Sequence, residues 1–359
     1  MTEPQWLEAW PVEEGARRVD ELFTSSFDGS PEGVWSAPGR VNLIGEHTDY
    51  NAGLCLPTAL PHRTFIALRP REDDRVRLVS AQAEGVWEAN LSDIAPGASG
   101  WGAYVAGVAW ALAEAGHKVG GFDAAVDSCV PFGAGLSSSA ALEAAVAVAL
   151  DAVAGLGLAA SDAGRTELVD ATRRAENEIA GAPTGGLDQS ASLRCREGYA
   201  LLLDFRPGLS ALESGVPVPF DLDTAGLTLL VVDTKAEHSH VDGEYGARRA
   251  ACEQAAKLLG LDSSARSRRP SAAWVSTGRW PSWSRTTPRA SCVAGCGTSC
   301  RRSTAPRGSR TWCGRAARPT SARSCWPRTS PCGTTTRFPA ASSTSSSTRR
   351  WRRARSARG

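Results

Sequence analysis

Phe122-Asp123-Ala124-Ala125-Val126-Asp127-Ser128-Cys129-Val130-Pro131-Phe132-Gly133-Ala134-Gly135-Leu136-Ser137-Ser138-Ser139-Ala140-Ala141 is the stretch on which the fold turns. Phe122 to Val130 predicts a short strand. Ser137 to Val153 is rich in Ala, Leu and Val and predicts a helix. Between them lie a glycine-rich turn and a cluster of hydroxyls, the order that builds a phosphate cradle. The first amides of a helix are unpaired donors, and the helix dipole adds about half a positive charge there. The Walker pattern with its lysine is absent, so such a loop relies on amides, hydroxyls and a metal ion. Ser139 is a candidate metal or phosphate ligand. The same small residues also suit tight packing of a helix on a strand, and that reading stays open here.

Toward the N-terminus, Gly39-Arg40-Val41-Asn42-Leu43-Ile44-Gly45-Glu46-His47-Thr48-Asp49-Tyr50-Asn51 packs one cation, two carboxylates and an imidazole into ten residues, Arg40 to Asp49. A carboxylate accepts two hydroxyl hydrogen bonds at once, and charge-assisted bonds are about twice as strong as neutral ones. Glu46 and Asp49 are therefore candidates to clamp a vicinal diol. A polar loop that solvates its charges between Val41 to Ile44 and Leu54 to Leu60 is the competing reading.

Toward the C-terminus, Leu168, Val169, Thr172, Ala175 and Ile179 follow a helical pattern that ends at Gly181-Ala182-Pro183. Glu176 lies on it, either as a solvated face residue or as a metal ligand. Then comes Thr184-Gly185-Gly186-Leu187-Asp188-Gln189-Ser190, where two glycines before Asp188 allow a tight turn and close approach of a ligand. A carboxylate so placed suits general-base work, worth roughly 10²–10⁴ in rate. A turn-capping aspartate is the plainer alternative. Tyr199 to Phe205 and Leu227 to Asp233 predict strands, and Glu244 to Leu259 an amphipathic helix.

The 359 residues leave room for two domains, and the formal net charge of +2 hides two halves of opposite character. Residues 263–359 hold 21 Arg and no Lys, Asp or Glu, leaving 19 basic and 38 acidic side chains in residues 1–262. That final segment has no Leu, Ile, Met, Tyr, His, Asn or Gln, but six of the ten Cys and six of the twelve Trp. It cannot bury a core against an ordering cost of about 1–2 kcal/mol per residue, and it reads as disordered. Its residues have largely GC-rich codons, so the change after about Asp262 reads as a shifted reading frame, which sequencing the underlying DNA checks. A basic arm for nucleic acid is the alternative, opposed by the acidic body. Cys292, Cys296 and Cys300 lack the His or Cys-x-x-Cys partners of a zinc site. Cys55, Cys129, Cys195 and Cys252 are scattered, as expected of reduced thiols. No apolar run approaches 18 residues, so the expectation is a cytoplasmic protein without a membrane partner.

Together the three motifs resemble those of the galactokinases, in the GHMP small-molecule kinase family. Trp101-x-x-Tyr104-x-x-Gly107-Val108 and Glu244-Tyr245-x-x-Arg248-Arg249 are similar to further patches of that family, and the resemblance runs from about residue 30 to 260. It implies an α+β, two-domain GHMP kinase fold: an N-terminal domain over residues 1–205 with the sugar and ATP motifs, the start of an incomplete C-terminal α+β domain over 206–262, and the aberrant segment 263–359. It further implies ATP-dependent phosphorylation of the anomeric hydroxyl of galactose. Asp188 would be the base and Arg40 would steady the transferred phosphoryl. Glu46, His47, Asp49, Gly185 and Tyr245 would hold the sugar. Gly133, Gly135, Leu136, Ser137, Ser138, Ser139 and Ala140 would wrap ATP, and Ser139 with Glu176 would hold Mg2+. The expected partners are galactose and ATP, with no nucleic acid, for a monomer. The family's third, glycine-rich motif has no counterpart in residues 263–359, which implies impaired activity. Loss of the elements covering Leu229 to Val232 implies exposed apolar surface. A non-catalytic sugar- and ATP-responsive regulator, and kinases for N-acetylgalactosamine or arabinose, are the related alternatives.

Overall fold

A computed structural model describes residues 5–234 and 244–260. Its first element, α1 (Val12–Ser26), starts behind Pro11 with Glu13 and Glu14 in the first turn, where acidic side chains complement the helix dipole. Its buried residues Gly15, Val19 and Phe23 recur every fourth position and form one stripe. That stripe packs with Val34, Phe65, Ala67 and Ala125 on one face of the main sheet.

The main sheet has five strands, β1 (Gly33–Asn42), β3 (Pro57–Pro70), β4 (Arg75–Ser80), β5 (Ala83–Asn90) and β6 (Phe122–Ser128), in the order β1-β3-β6-β4-β5. All pairings are antiparallel except β4 with β6. The β1–β3 register shifts between Pro38 and Arg40, a bulge of the kind that bends a strand and re-aims the next side chain. A Cβ on Gly39, inside that bulge, would lie 2.8 Å from the Leu136 carbonyl oxygen, so only glycine admits this approach.

Three helices cover the opposite face: α2 (Gly102–Glu114), α3 (Ser138–Ala154) and α4 (Asp162–Arg174). Their core joins Ile66, Leu68, Leu78, Phe122 and Ala124 to Val108, Leu112, Val146 and Leu168. Helix α3 is buried from Ala140 to Asp151 except at Leu142, so it is apolar on nearly every side, as a central helix must be. Asp151 is satisfied by the amides of Leu158 and Ala159, at 2.6 and 3.1 Å.

Helix α4 runs into a π-helical turn, Ala175–Ile179. Gly107 on α2 lets this turn close in, since a Cβ there would meet Ala175 at 3.1 Å and Ile179 at 3.2 Å. Helix α5 (Leu187–Arg194) then leads to a three-stranded sheet of β2 (Leu54–Cys55), β7 (Tyr199–Asp204) and β8 (Gly215–Pro219), ordered β2-β7-β8.

The expected strand and helix on either side of the glycine-rich turn are present, as are the helix ending near Gly181, the strand at Tyr199 and the helix at Glu244, which is α6 (Glu244–Leu258). The strand expected at Leu227 to Asp233 is not formed. This segment is irregular, and Leu227, Leu230 and Val232 are 59, 64 and 68% exposed. A β-branched run becomes a strand only when a neighbour pairs its backbone, and among the described residues none does. The readings of residues 263–359 as disordered or out of frame lie outside the described residues. Among those described, no helix is long and apolar enough to cross a membrane.

Candidate active site

The bulge at Gly39 and the turn before α5 bring Arg40 and Asp188 together across 148 residues. Arg40 Nε and Nη2 lie 2.8 and 2.6 Å from Asp188 Oδ1, and Nη1 donates to the Gly135 carbonyl at 2.7 Å. The Arg40 amide also donates to the Leu136 carbonyl at 3.1 Å, tying the glycine-rich loop to β1 at two points. Asp188 sits in the first turn of α5 behind Gly186, whose φ of 94° suits glycine alone. Its second oxygen accepts a 2.5 Å bond from Ser137 Oγ. Ser137 caps α3 with φ 59° and ψ 54°, a left-handed conformation that costs a non-glycine residue about 1–2 kcal/mol. Among the described residues only His47, Ala52 and Ser137 share a positive φ without being glycine, and two of these belong to the sequence motifs. Such strain clusters at ligand-binding sites.

Beside this pair is a buried acidic network. Ser139 Oγ donates to Glu176 Oε1 at 3.1 Å. Glu176 projects from the π turn, an irregularity frequent at functional sites. Gln189 Nε2 donates to Glu176 Oε2 and, at 3.1 Å, to Glu143 Oε2. Burial, and then the Asp188 charge, push the Glu176 carboxyl up to about 7. Burial, and then Glu176, push Glu143 well above the usual carboxylate range. A raised carboxyl stabilises the fold while it stays protonated; that contribution is full below the unfolded carboxyl value and is lost as pH rises through the folded one. The chain is therefore expected to lose stability between about pH 4.5 and 7. Glu176→Gln should flatten part of that fall, as read by urea unfolding at several pH values; an unchanged slope would contradict the assignment.

No group of three or more His, Cys, Asp or Glu among the described residues could hold a metal ion by itself. The donors present, the Glu176 carboxylate and the Ser139 hydroxyl, are hard oxygen ligands. They suit a magnesium ion held by one or two protein groups together with phosphates. The cost of ionising Glu176 in this buried place is one that a cation would relieve.

The motif that begins at Gly39 leaves β1 after Asn42, and its remainder forms the loop to β2, with a short 3₁₀ turn at Asp49–Asn51. Thr48 Oγ1 ties it down through the Gly45 and Leu54 carbonyls at 2.7 and 2.8 Å, and His47 Nδ1 meets the Tyr50 hydroxyl at 2.7 Å. Glu46 and His47 are exposed, whereas Asp49 is half-buried, its carboxyl raised by burial and then by the Asp188 charge. Burial pushes the Cys55 thiol up to about 12, with smaller contributions from Asp49, Glu46 and Asp188.

Gly185 closes the group: a Cβ there would lie 2.1 Å from Asp49 Oδ2 and 2.6 Å from its Cγ. Gly185→Ala must displace that carboxylate. On the reading of Asp49 as a diol clamp, the expected result is a sugar dissociation constant raised about tenfold with ATP affinity unchanged, measured by titration calorimetry; equal losses for both ligands would point to general damage instead.

The structure thus gathers Arg40, Asp49, Gly135, Ser137, Ser139, Glu176, Gly185 and Asp188 at one place. The side chain of Tyr245 lies outside the described residues. Its helix nonetheless reaches the site: Arg249 Nη1 donates to the Thr184 carbonyl at 3.4 Å, and Asn51 Nδ2 lies 3.5 Å from Cys252 Sγ. Glu143 and Gln189 were not singled out from sequence as site residues. The available signal was spacing, since Glu143 follows Ser139 by four residues and so shares its face of α3.

This strand, glycine-rich loop and helix set a candidate phosphate cradle beside a buried carboxylate pair and an arginine-held aspartate. Residues 21–70 match the galactokinase galactose-binding signature and residues 103–196 the GHMP kinases N terminal domain. A galactokinase of Streptomyces coelicolor is 50% identical over 250 residues, 69% of this chain and 62% of the relative. One of Mycobacterium bovis is 46% identical over 230 residues, 64% of this chain and 60% of the relative. The crystal structure of Lactococcus lactis galactokinase complexed with galactose superposes with a TM-score of 0.58 at 30% identity, covering 68% of this chain and 62% of that one. Over residues 21–70 and 103–196 the chain is thus similar to the galactokinases of the GHMP kinase family. It spans less than two thirds of the length of the relatives it matches.

Proposed function

We propose that this site transfers the γ-phosphoryl group of ATP to the anomeric hydroxyl of galactose, giving galactose 1-phosphate and ADP. The observation that carries the reading is the contact between the two motifs: Asp188 is held at once by Arg40 from the sugar strand and by Ser137 from the glycine-rich loop. Positioning and charge stabilisation dominate phosphoryl transfer, so a site that joins both loops at one carboxylate is the arrangement the reaction needs.

In this reading Glu46, His47, Asp49 and Tyr245 hold sugar hydroxyls, with Gly185 leaving room for the Asp49 carboxylate. Asp188 accepts the anomeric proton, and Arg40 offsets the charge that develops on the transferred group. Gly133, Gly135, Leu136, Ser137, Ser138, Ser139 and Ala140 wrap the phosphates at the start of α3. Ser139 and Glu176 would hold Mg2+, which when bound neutralises phosphate charge. Residues 1–205 form the motif-bearing domain and residues 206–262 begin a second. The chain acts as a monomer in the cytoplasm.

A coupled ADP assay of the full chain with galactose, N-acetylgalactosamine and arabinose tests this. Galactose-dependent ADP release above that with the other two sugars is expected. Tight binding of galactose and ATP without turnover would instead mark a non-catalytic sensor. Preference for another sugar would move the specificity.

A further inference from the structure

Gln189 follows Asp188 on α5 and points into the protein, where its side chain is 0% exposed. Its amide nitrogen has two hydrogens and spends them on two carboxylates, Glu176 Oε2 and Glu143 Oε2. Ser139 Oγ donates to the other Glu176 oxygen. Both Glu176 oxygens therefore accept a hydrogen bond, and the two bonds set the plane of the carboxylate. Glu143 is also 0% exposed and one helical turn beyond Ser139, so α3 supplies both ends of the chain Ser139, Glu176, Gln189, Glu143. The remaining oxygens, Glu143 Oε1 and Gln189 Oε1, have no hydrogen-bond partner among the described residues. Unpaired buried polar atoms cost about 1–3 kcal/mol each. A glutamate and a glutamine placed here only to fill volume would be replaced by apolar residues at a gain in stability.

Resting on the kinase reading above, we propose that Gln189, backed by Glu143, is a positioning residue that aims the Glu176 carboxylate at the divalent cation accompanying ATP. Because Gln189 adjoins Asp188 in sequence, α5 fixes the base and the cation-binding carboxylate as one rigid unit. Groups that orient a metal-binding carboxylate are worth about 10–100-fold in metal affinity.

The test uses the full chain and Mn2+ as the probe, with ATP affinity measured by titration calorimetry with and without the metal. Gln189→Met keeps the volume and removes both donors. It is expected to bind metal-free ATP as the wild type does, within about twofold, while losing about tenfold or more of the metal-dependent gain. Glu143→Leu, which removes the Gln189 hydrogen bond to Glu143 and leaves Gln189 and Glu176 in place, should lose part of that gain in the same direction, and it decides the matter if Gln189→Met does not fold. The proposal is overturned if either folded variant keeps the whole gain, or if metal-free ATP binding falls by the same factor. A wild-type chain with no metal-dependent gain would instead remove the kinase reading on which the proposal stands.

Discussion

Asp188→Ala is expected to lower turnover by about 10²–10⁴ while leaving galactose affinity within a few-fold of the wild type. The residue sits at the meeting point of the two loops, with one oxygen on Arg40 and the other on Ser137 Oγ. Removing it takes away the proposed proton acceptor but leaves the Thr48 anchors of the loop at Gly45 and Leu54 in place. Turnover and binding should therefore separate. The substitution should also draw the Asp49 carboxyl back toward the ordinary range, since the Asp188 charge is one of the causes that raise it. A coupled assay for turnover with calorimetry for sugar binding reads both effects; turnover within tenfold of the wild type would remove Asp188 from the role of base.

The second large effect belongs to Arg40. Arg40→Ala should cost about 10³ or more in turnover, the scale on which an arginine stabilises charge in phosphoryl transfer. It removes the counter-charge beside Asp188 and the bond from Nη1 to the Gly135 carbonyl, so both loops lose a fixed point. The pair is partly buried, with side-chain exposures of 14 and 27%, and its loss should lower stability by about 2 kcal/mol. Arg40→Lys is not expected to rescue the rate. An ammonium is a point charge and cannot reach Asp188 and the Gly135 carbonyl together as a planar guanidinium does. Recovery of most of the activity by lysine would show that charge alone, without the fork, is what the site uses.

Much of this site was legible from sequence because its parts are local. A strand, a glycine-rich turn and a helix in succession announce a phosphate loop, and Gly185-Gly186 before Asp188 announce a tight turn. What the sequence could not show was how these pieces meet. The bond from Ser137 to Asp188 spans 51 residues, and the one from Arg40 spans 148. Neither follows from spacing. The bulge that re-aims Arg40 also depends on β3 as its partner. The Glu143–Gln189–Glu176 network was hidden for a further reason: a glutamate in an alanine-rich helix reads as a surface residue until burial is known.

The strand expected over Leu227 to Asp233 failed in the opposite sense. Its β-branched composition is real, but a strand is a property of a pair, and among the described residues no strand pairs with this segment. Its exposed leucines and valines match the apolar surface expected from the motif comparison.

The central claim is that the sugar loop and the phosphate loop form one phosphoryl-transfer site through Asp188. Phosphorus NMR of the full chain with ATP, Mg2+ and galactose tests it most directly, because it reports where the phosphoryl group goes. A growing phosphomonoester signal coupled to the anomeric proton of galactose, absent without the sugar and abolished by Asp188→Ala, is the predicted result. An ATP spectrum unchanged by galactose, or inorganic phosphate released at the same rate with and without it, would contradict the account.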